Sequence, residues 1–200
     1  MKRPPATSSG ARRRGFTLVE LLVVITVMGL LVGLGAGGLM HFLRGRNTAA
    51  AANLVMQQIA LAQQIALSAS QQVKLEVIEL PTPSADGANR FRMVRLQAFH
   101  PRERNWMPYG APLYFPQGVE VDTARSTLFD AQRLEPVDGV KAGGTTVDTR
   151  AAVITFYANG RTSLDPNGKH AITLEDPHHT ADFITVQIDP ISGRTRSFRP

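Results

Sequence analysis

The feature that most constrains this chain is an apolar run from Leu18 to Met40, preceded by the basic triplet Arg12-Arg13-Arg14 and interrupted by one acid, Glu20. As a helix rising about 1.5 Å per residue it measures roughly 34 Å, against a bilayer hydrocarbon core of about 30 Å, so it is long enough to span. It exceeds the apolar core of a secretory signal peptide, and no cleavage region follows it. The positive-inside rule keeps the arginine triplet cytoplasmic and sends everything after Met40 across the membrane. Glu20 is costly there, because an ionised acid in a span costs about 2.5–3.5 kcal/mol. Two readings follow. Glu20 lies only about 6 Å into the helix and snorkels to the interface, or it pairs with a cation. A new amino terminus made by cutting between Gly15 and Phe16, in the same chain or a neighbour, would supply that cation.

The ten residues Gly15-Phe16-Thr17-Leu18-Val19-Glu20-Leu21-Leu22-Val23-Val24 resemble the processing site of type IV prepilins and type II secretion pseudopilins. The resemblance implies that a prepilin peptidase cuts after Gly15 and methylates the exposed amine of Phe16. It assigns Glu20 to methylation and to docking on an adjacent subunit's amino terminus. The expected organisation is a cleaved leader over 1–15, a transmembrane helix over 16–43, an amphipathic continuation over 44–70 and a periplasmic β-rich domain over 71–200. The chain is then a single-pass inner-membrane protein, its N-terminus cytoplasmic and its C-terminal domain periplasmic, that joins a periplasmic pseudopilus after processing.

Charge adds little to this. The net +6 owes five positive charges to Lys2, Arg3, Arg12, Arg13 and Arg14; the remainder carries 17 basic and 16 acidic residues, a net of +1. The basic character therefore belongs to the leader, and charge alone gives no reason to expect a basic binding surface. The absence of cysteine removes disulfides, thiolate nucleophiles and cysteine metal sites. No phosphate loop and no serine with a plausible base and orienting acid is found, so the chain reads as the substrate of an enzyme and not as one. No cofactor is expected.

Within the apolar run Gly29, Gly33 and Gly37 recur every fourth residue, a spacing that permits close helix packing in a membrane and equally marks a segment that softens. From Thr48 to Ser70 the apolar set Leu54, Val55, Ile59, Leu61, Ala62, Ile65 and Ala66 follows helical spacing, with Asn53, Gln57 and Gln64 mostly opposite. Beyond Gln71 strands are expected at 73–80, 90–99 with a bulge near Val94, 119–121, 152–158, 171–174, 183–188 and 194–198. The fold class is α+β, pilin-like: one long N-terminal helix, membrane-spanning in its first half, packed on an antiparallel sheet. Apart from the strand at 119–121, residues 101–150 resemble no named family.

Two turns stand near the end, Asn159-Gly160 and Asp189-Pro190-Ile191-Ser192-Gly193. They resemble the C-terminal signatures of the GspH/FimT subgroup of pseudopilins and minor pilins. The function this implies is a GspH-like minor pseudopilin of the type II secretion system, a structural subunit whose partners are the prepilin peptidase, other pseudopilins or pilins, the inner membrane and secreted cargo. The competing reading is a FimT-like minor pilin of a type IV pilus, acting in pilus assembly or DNA uptake. For it the candidate nucleic-acid contacts are Arg194, Arg196 and Arg199, at and after the tail "GRTR"; on the other reading these basic residues protect an edge strand. "EDPHHTAD", 175–182, gathers acids and histidines without a standard zinc spacing and reads as a loop, and "DPNG", 165–168, reads as a turn.

Overall fold

The computed structural model describes residues 17–81, 89–130, 133–142, 145–178 and 180–199. The chain divides into two units, Met1–Phe42 and Leu43–Pro200. Helix α1, Leu18–Ser68, contributes to both. In the first unit its side chains from Leu18 to Val32 include exposed Leu18, Val19, Leu21, Leu22, Ile25, Leu30 and Leu31. Among the described residues no helix is long and apolar enough to cross a membrane.

In the second unit the helix is amphipathic as expected, and the reason is its stripe. Ala51, Ala52, Val55, Ile59, Ala62, Ile65 and Ala66 are buried, while Asn53, Gln57 and Gln64 are exposed. Leu61 departs from the expected set and is exposed. At about 100° per residue it lies about 120° around the helix from Val55, outside the stripe. The helix ends one turn after Ile65: Ser70 takes a left-handed backbone (φ 50°) and the Gln71 N–H bonds back to the Ala66 carbonyl at 3.2 Å. This is a Schellman-type stop.

The β part is two antiparallel sheets, where a single one was expected. The first has the order β3-β2-β1-β7-β6, from β1 (Val73–Pro81), β2 (Asn89–His100), β3 (Asn105–Pro108), β6 (Leu134–Ala142) and β7 (Thr145–Phe156), with β4 (Leu113–Tyr114) also on β2. The second has the order β10-β9-β8-β5, from β5 (Glu120–Val121), β8 (His170–Glu175), β9 (Phe183–Ile188) and β10 (Thr195–Phe198). Both are joined to the helix by one core that unites Val55 and Ile59 with Leu75, Ile154 and Phe156 of the first sheet and Leu174, Val186 and Ile188 of the second. A second cluster, Ile78, Leu80, Met93, Val137, Val140 and Ala151, includes the directly paired Met93, Ile78 and Ala151. Alternation along the strand turns Ile78 away from the face that carries its neighbour Val77, a member of the first core.

The bulge expected near Val94 falls nearby: register shifts where Ile78 faces Met93 and Glu79 faces Phe91, leaving Arg92 as the extra residue. Between 101 and 150 the structure places β3, β4, β5, β6 and the start of β7, of which β5 falls within the strand expected at 119–121. The signal of the others is broken in sequence, because β6 contains Pro136 and Gly139 (φ 71°) and shifts register between Val137 and Val140.

Candidate functional site

Gly15 and Phe16 lie outside the described residues. The described chain begins at their edge, with Thr17 as the helix N-cap: its Oγ1 accepts a hydrogen bond from the Glu20 N–H at 3.2 Å. Thr17 and Glu20 thus stand in the Thr-x-x-Glu spacing of a capping box, and the acid of the first turn lies where the positive end of the helix dipole favours it. This Thr17-to-Glu20 spacing is local and therefore present in the sequence itself. Gly29 and Gly33 have nothing within 4 Å of where a Cβ would stand.

At the other end, the two turns expected from the sequence meet. Tyr157 N–H bonds to Arg161 C=O at 2.9 Å across the Asn159-Gly160 turn, and Gly160 holds φ 82°. In the second turn one Asp189 carboxylate oxygen accepts from Ile191 N–H (3.1 Å), Ser192 N–H (2.6 Å) and the Ser192 hydroxyl (2.8 Å). These bonds, led by the Ser192 N–H, hold the Asp189 carboxyl below its ordinary 3.8. The Thr162 hydroxyl, just after the first turn, donates to the Pro190 carbonyl in the second, and Gln63 of α1 donates to the Ser192 carbonyl. Gly193 is held at φ 66°, and a Cβ there would meet the Phe156 ring at 3.2 Å and Gln63 Nε2 at 3.3 Å. Only glycine fits that position without strain.

Beyond the turn, Arg194 and Arg196 line one cleft of about 390 Å³ together with Lys169 and Gln187. Register explains the grouping, since Arg196 faces Gln187 on β9 and Gln187 faces Ala171 on β8, whose small side chain leaves room. Lys169 was not singled out in sequence, because only strand pairing brings it beside the arginines. Arg199 stands apart: it bonds Asp182 at 2.7 Å, and the pair packs on α1, with Arg199 3.0 Å and Asp182 3.1 Å from where a Gly45 Cβ would be.

The acids of "EDPHHTAD" have separate partners. Glu175 takes Arg125 at 3.1 Å, Asp176 caps the His178 N–H at 2.9 Å, and Asp182 takes Arg199. Burial raises the Glu175 carboxyl above its ordinary 4.5, with the Asp122 charge next, against the pull of Arg125. Asp165 of "DPNG" caps the Asn167 N–H at 3.0 Å, and its carbonyl accepts from the His170 ring nitrogen at 2.8 Å. Among the described residues no group of three or more metal-ligating side chains is formed. On the first sheet Arg95 and Glu76 make an almost fully buried ion pair at 2.7 Å; burial nevertheless raises the Glu76 carboxyl above 4.5.

An α+β body that follows a long N-terminal helix is the class these observations define. Residues 10–36 match the family model described as the prokaryotic N-terminal methylation motif, so the chain carries that motif across Gly15, Phe16 and Glu20. No curated protein matches the chain. Among solved structures, it is similar to the minor pseudopilin EpsH from the type 2 secretion system of Vibrio cholerae, at 11% identity over 77% of this chain and 98% of that one, with a TM-score of 0.46. A crystal structure of the minor pseudopilin EpsH from the same system of Vibrio cholerae also matches, at 12% identity over 78% of this chain and 95% of that one, with a TM-score of 0.44.

Proposed function

We propose that the chain is a GspH-like minor pseudopilin, a structural subunit cut by prepilin peptidase and built through α1 into a periplasmic pseudopilus for protein export. In this reading the leader 1–15 is removed between Gly15 and Phe16, the Phe16 amine is methylated, and 16–43 anchor the chain in the inner membrane. The segment 44–70 continues the helix and 71–200 stand in the periplasm. The observation that carries it is the methylation motif over residues 10–36. Two features support it. The apolar side chains of Leu18 to Val32 are exposed in the single chain, so they require lipid or neighbouring helices to cover them. The open flank at Gly29 and Gly33 lets a neighbouring helix approach closely.

Mechanistically the subunit works by packing. A cut before Phe16 creates a cation one residue ahead of the Thr17 cap, and Glu20 of the same or an adjacent subunit is the acid within reach of that new terminus. The test is mass spectrometry of the mature N-terminus combined with cross-linking in membranes. A chain that starts at methylated Phe16, and a Glu20→Ala variant that inserts but does not cross-link to neighbours, are expected. An intact Met1, or a mature start at any other residue, would sink the proposal. Co-purification with secretion subunits and not with pilus subunits separates export from the FimT-like reading.

A further inference from the structure

The last strand of the second sheet has one free side. Strand β10 is terminal in the order β10-β9-β8-β5, and among the described residues it is bonded to β9 alone. Asp189 N–H bonds to Arg194 C=O at 2.8 Å, which makes this a hydrogen-bonded pair. Antiparallel pairs alternate between bonded and non-bonded, so the next pair, Ile188 with Thr195, turns its backbone groups outward; Gln187 with Arg196 bonds inward and Val186 with Ser197 turns outward again. The N–H and C=O of Thr195 and Ser197 therefore stand on the open edge.

The face beside that edge is cationic. Arg194, Arg196 and Phe198 share one side of the strand by alternation, and all three are exposed. Lys169 extends the positive charge across the cleft. Among the described residues the cleft's one acid is Asp189, whose carboxylate oxygen is already engaged by the Ile191 and Ser192 donors of its own turn. A second copy of β10 would set arginine against arginine, which like charges directly opposite disfavour. An acidic strand would be attracted by the same residues.

The geometry points to β10 as an acceptor edge for an extended acidic polypeptide segment of another protein. The incoming chain adds a strand to the second sheet through the outward groups of Thr195 and Ser197, sets acidic side chains against Arg194 and Arg196, and lays an apolar one on Phe198. An open backbone edge beside the arginines favours a peptide over a nucleic acid, because duplex DNA has no strand to add. The inference is independent of the pseudopilin assignment.

The test uses the full chain in detergent and a labelled, capped eight-residue peptide alternating glutamate with valine, followed by fluorescence anisotropy and amide exchange. Binding is expected for this peptide and not for its lysine counterpart, with slowed exchange at Thr195 and Ser197. Arg196→Glu should weaken binding about tenfold or more. Ser197→Pro should weaken it comparably by removing an outward donor, a change an edge strand tolerates. Unchanged exchange at the Ile172 amide confirms that each variant is folded. Equal binding of the lysine peptide, or affinity untouched by Ser197→Pro, would overturn the proposal. So would a twenty-base-pair DNA duplex displacing the acidic peptide and binding the Ser197→Pro variant as well as the wild type.

Discussion

Gln63 on α1 donates its side-chain hydrogen bond to the carbonyl of Ser192, fastening the last turn of the chain to the helix that opens the body. Gly193 follows at once, in a backbone conformation and a space that admit no side chain. Gly193→Ala should cost about 1–3 kcal/mol from backbone strain and crowding against Phe156. Gln63→Ala, which loses one bond without strain, should cost about 1 kcal/mol. Urea unfolding of both variants gives the comparison, and an equal loss in the two would contradict this account of Gly193.

The Arg95–Glu76 pair should be sensitive to losing one partner. Arg95→Met leaves the carboxylate buried without its cation and should destabilise by about 3–5 kcal/mol. Adding Glu76→Gln to it should restore a measurable part of that loss. If the double variant is no better than the single one, the pair is not the source of the effect.

The raised Glu76 carboxyl also sets a pH dependence. The folded state holds its proton up to a higher pH than the unfolded state does, so this group's contribution to stability falls as pH rises through the interval above 4.5 and is fully present below it. Glu76→Gln should flatten that part of the stability curve between ordinary carboxylate values and neutrality. Asp189 has the opposite sign: its contribution is present above 3.8 and is lost as pH falls below that value. Chemical unfolding across pH 3 to 7, in wild type, Glu76→Gln and Asp189→Asn, checks the two slopes separately.

Along α1 the buried stripe makes a sharp contrast. Ile59→Ala should cost about 2–5 kcal/mol, whereas Leu61→Gln, two residues on and exposed, should stay within about 0.5 kcal/mol.

At the helix start, Thr17→Val removes the hydroxyl that accepts from Glu20. Amide exchange at Glu20 should quicken several-fold, as a cap worth about 1 kcal/mol requires, and Thr17→Ser should restore it. An unchanged rate in Thr17→Val would show that the hydroxyl does not cap the helix.

The sequence displayed those parts of the fold whose pattern is local. Val73 to Val77 alternates apolar with charged residues and opens β1, and Phe183 to Ile188 became β9 with the expected bounds. Residues 134–142 hid a strand because Pro136 and a left-handed Gly139 interrupt its period. The split into two sheets was equally hidden, since nothing local tells β8 to pair with β5 and β9 and not with β7. Of the candidate arginines, Arg194 and Arg196 share a face by alternation, which sequence displays. The engagement of Arg199 with Asp182 against Gly45 depends on tertiary folding, which it does not. The methylation motif is contiguous, and for that reason it was readable in full.

The bonds from Thr162 to Pro190 and from Gln63 to Ser192 carry a consequence for the order in which the body is completed. A growing chain presents α1 and the first sheet long before the final hairpin exists, leaving the Phe156 ring and the helix flank near Gln63 open to water. Closure waits for Ser192 and Gly193 to emerge. A chain stopped short of Gly193 therefore lacks the turn that lies against the Phe156 ring and Gln63, and it exposes apolar surface there that invites aggregation.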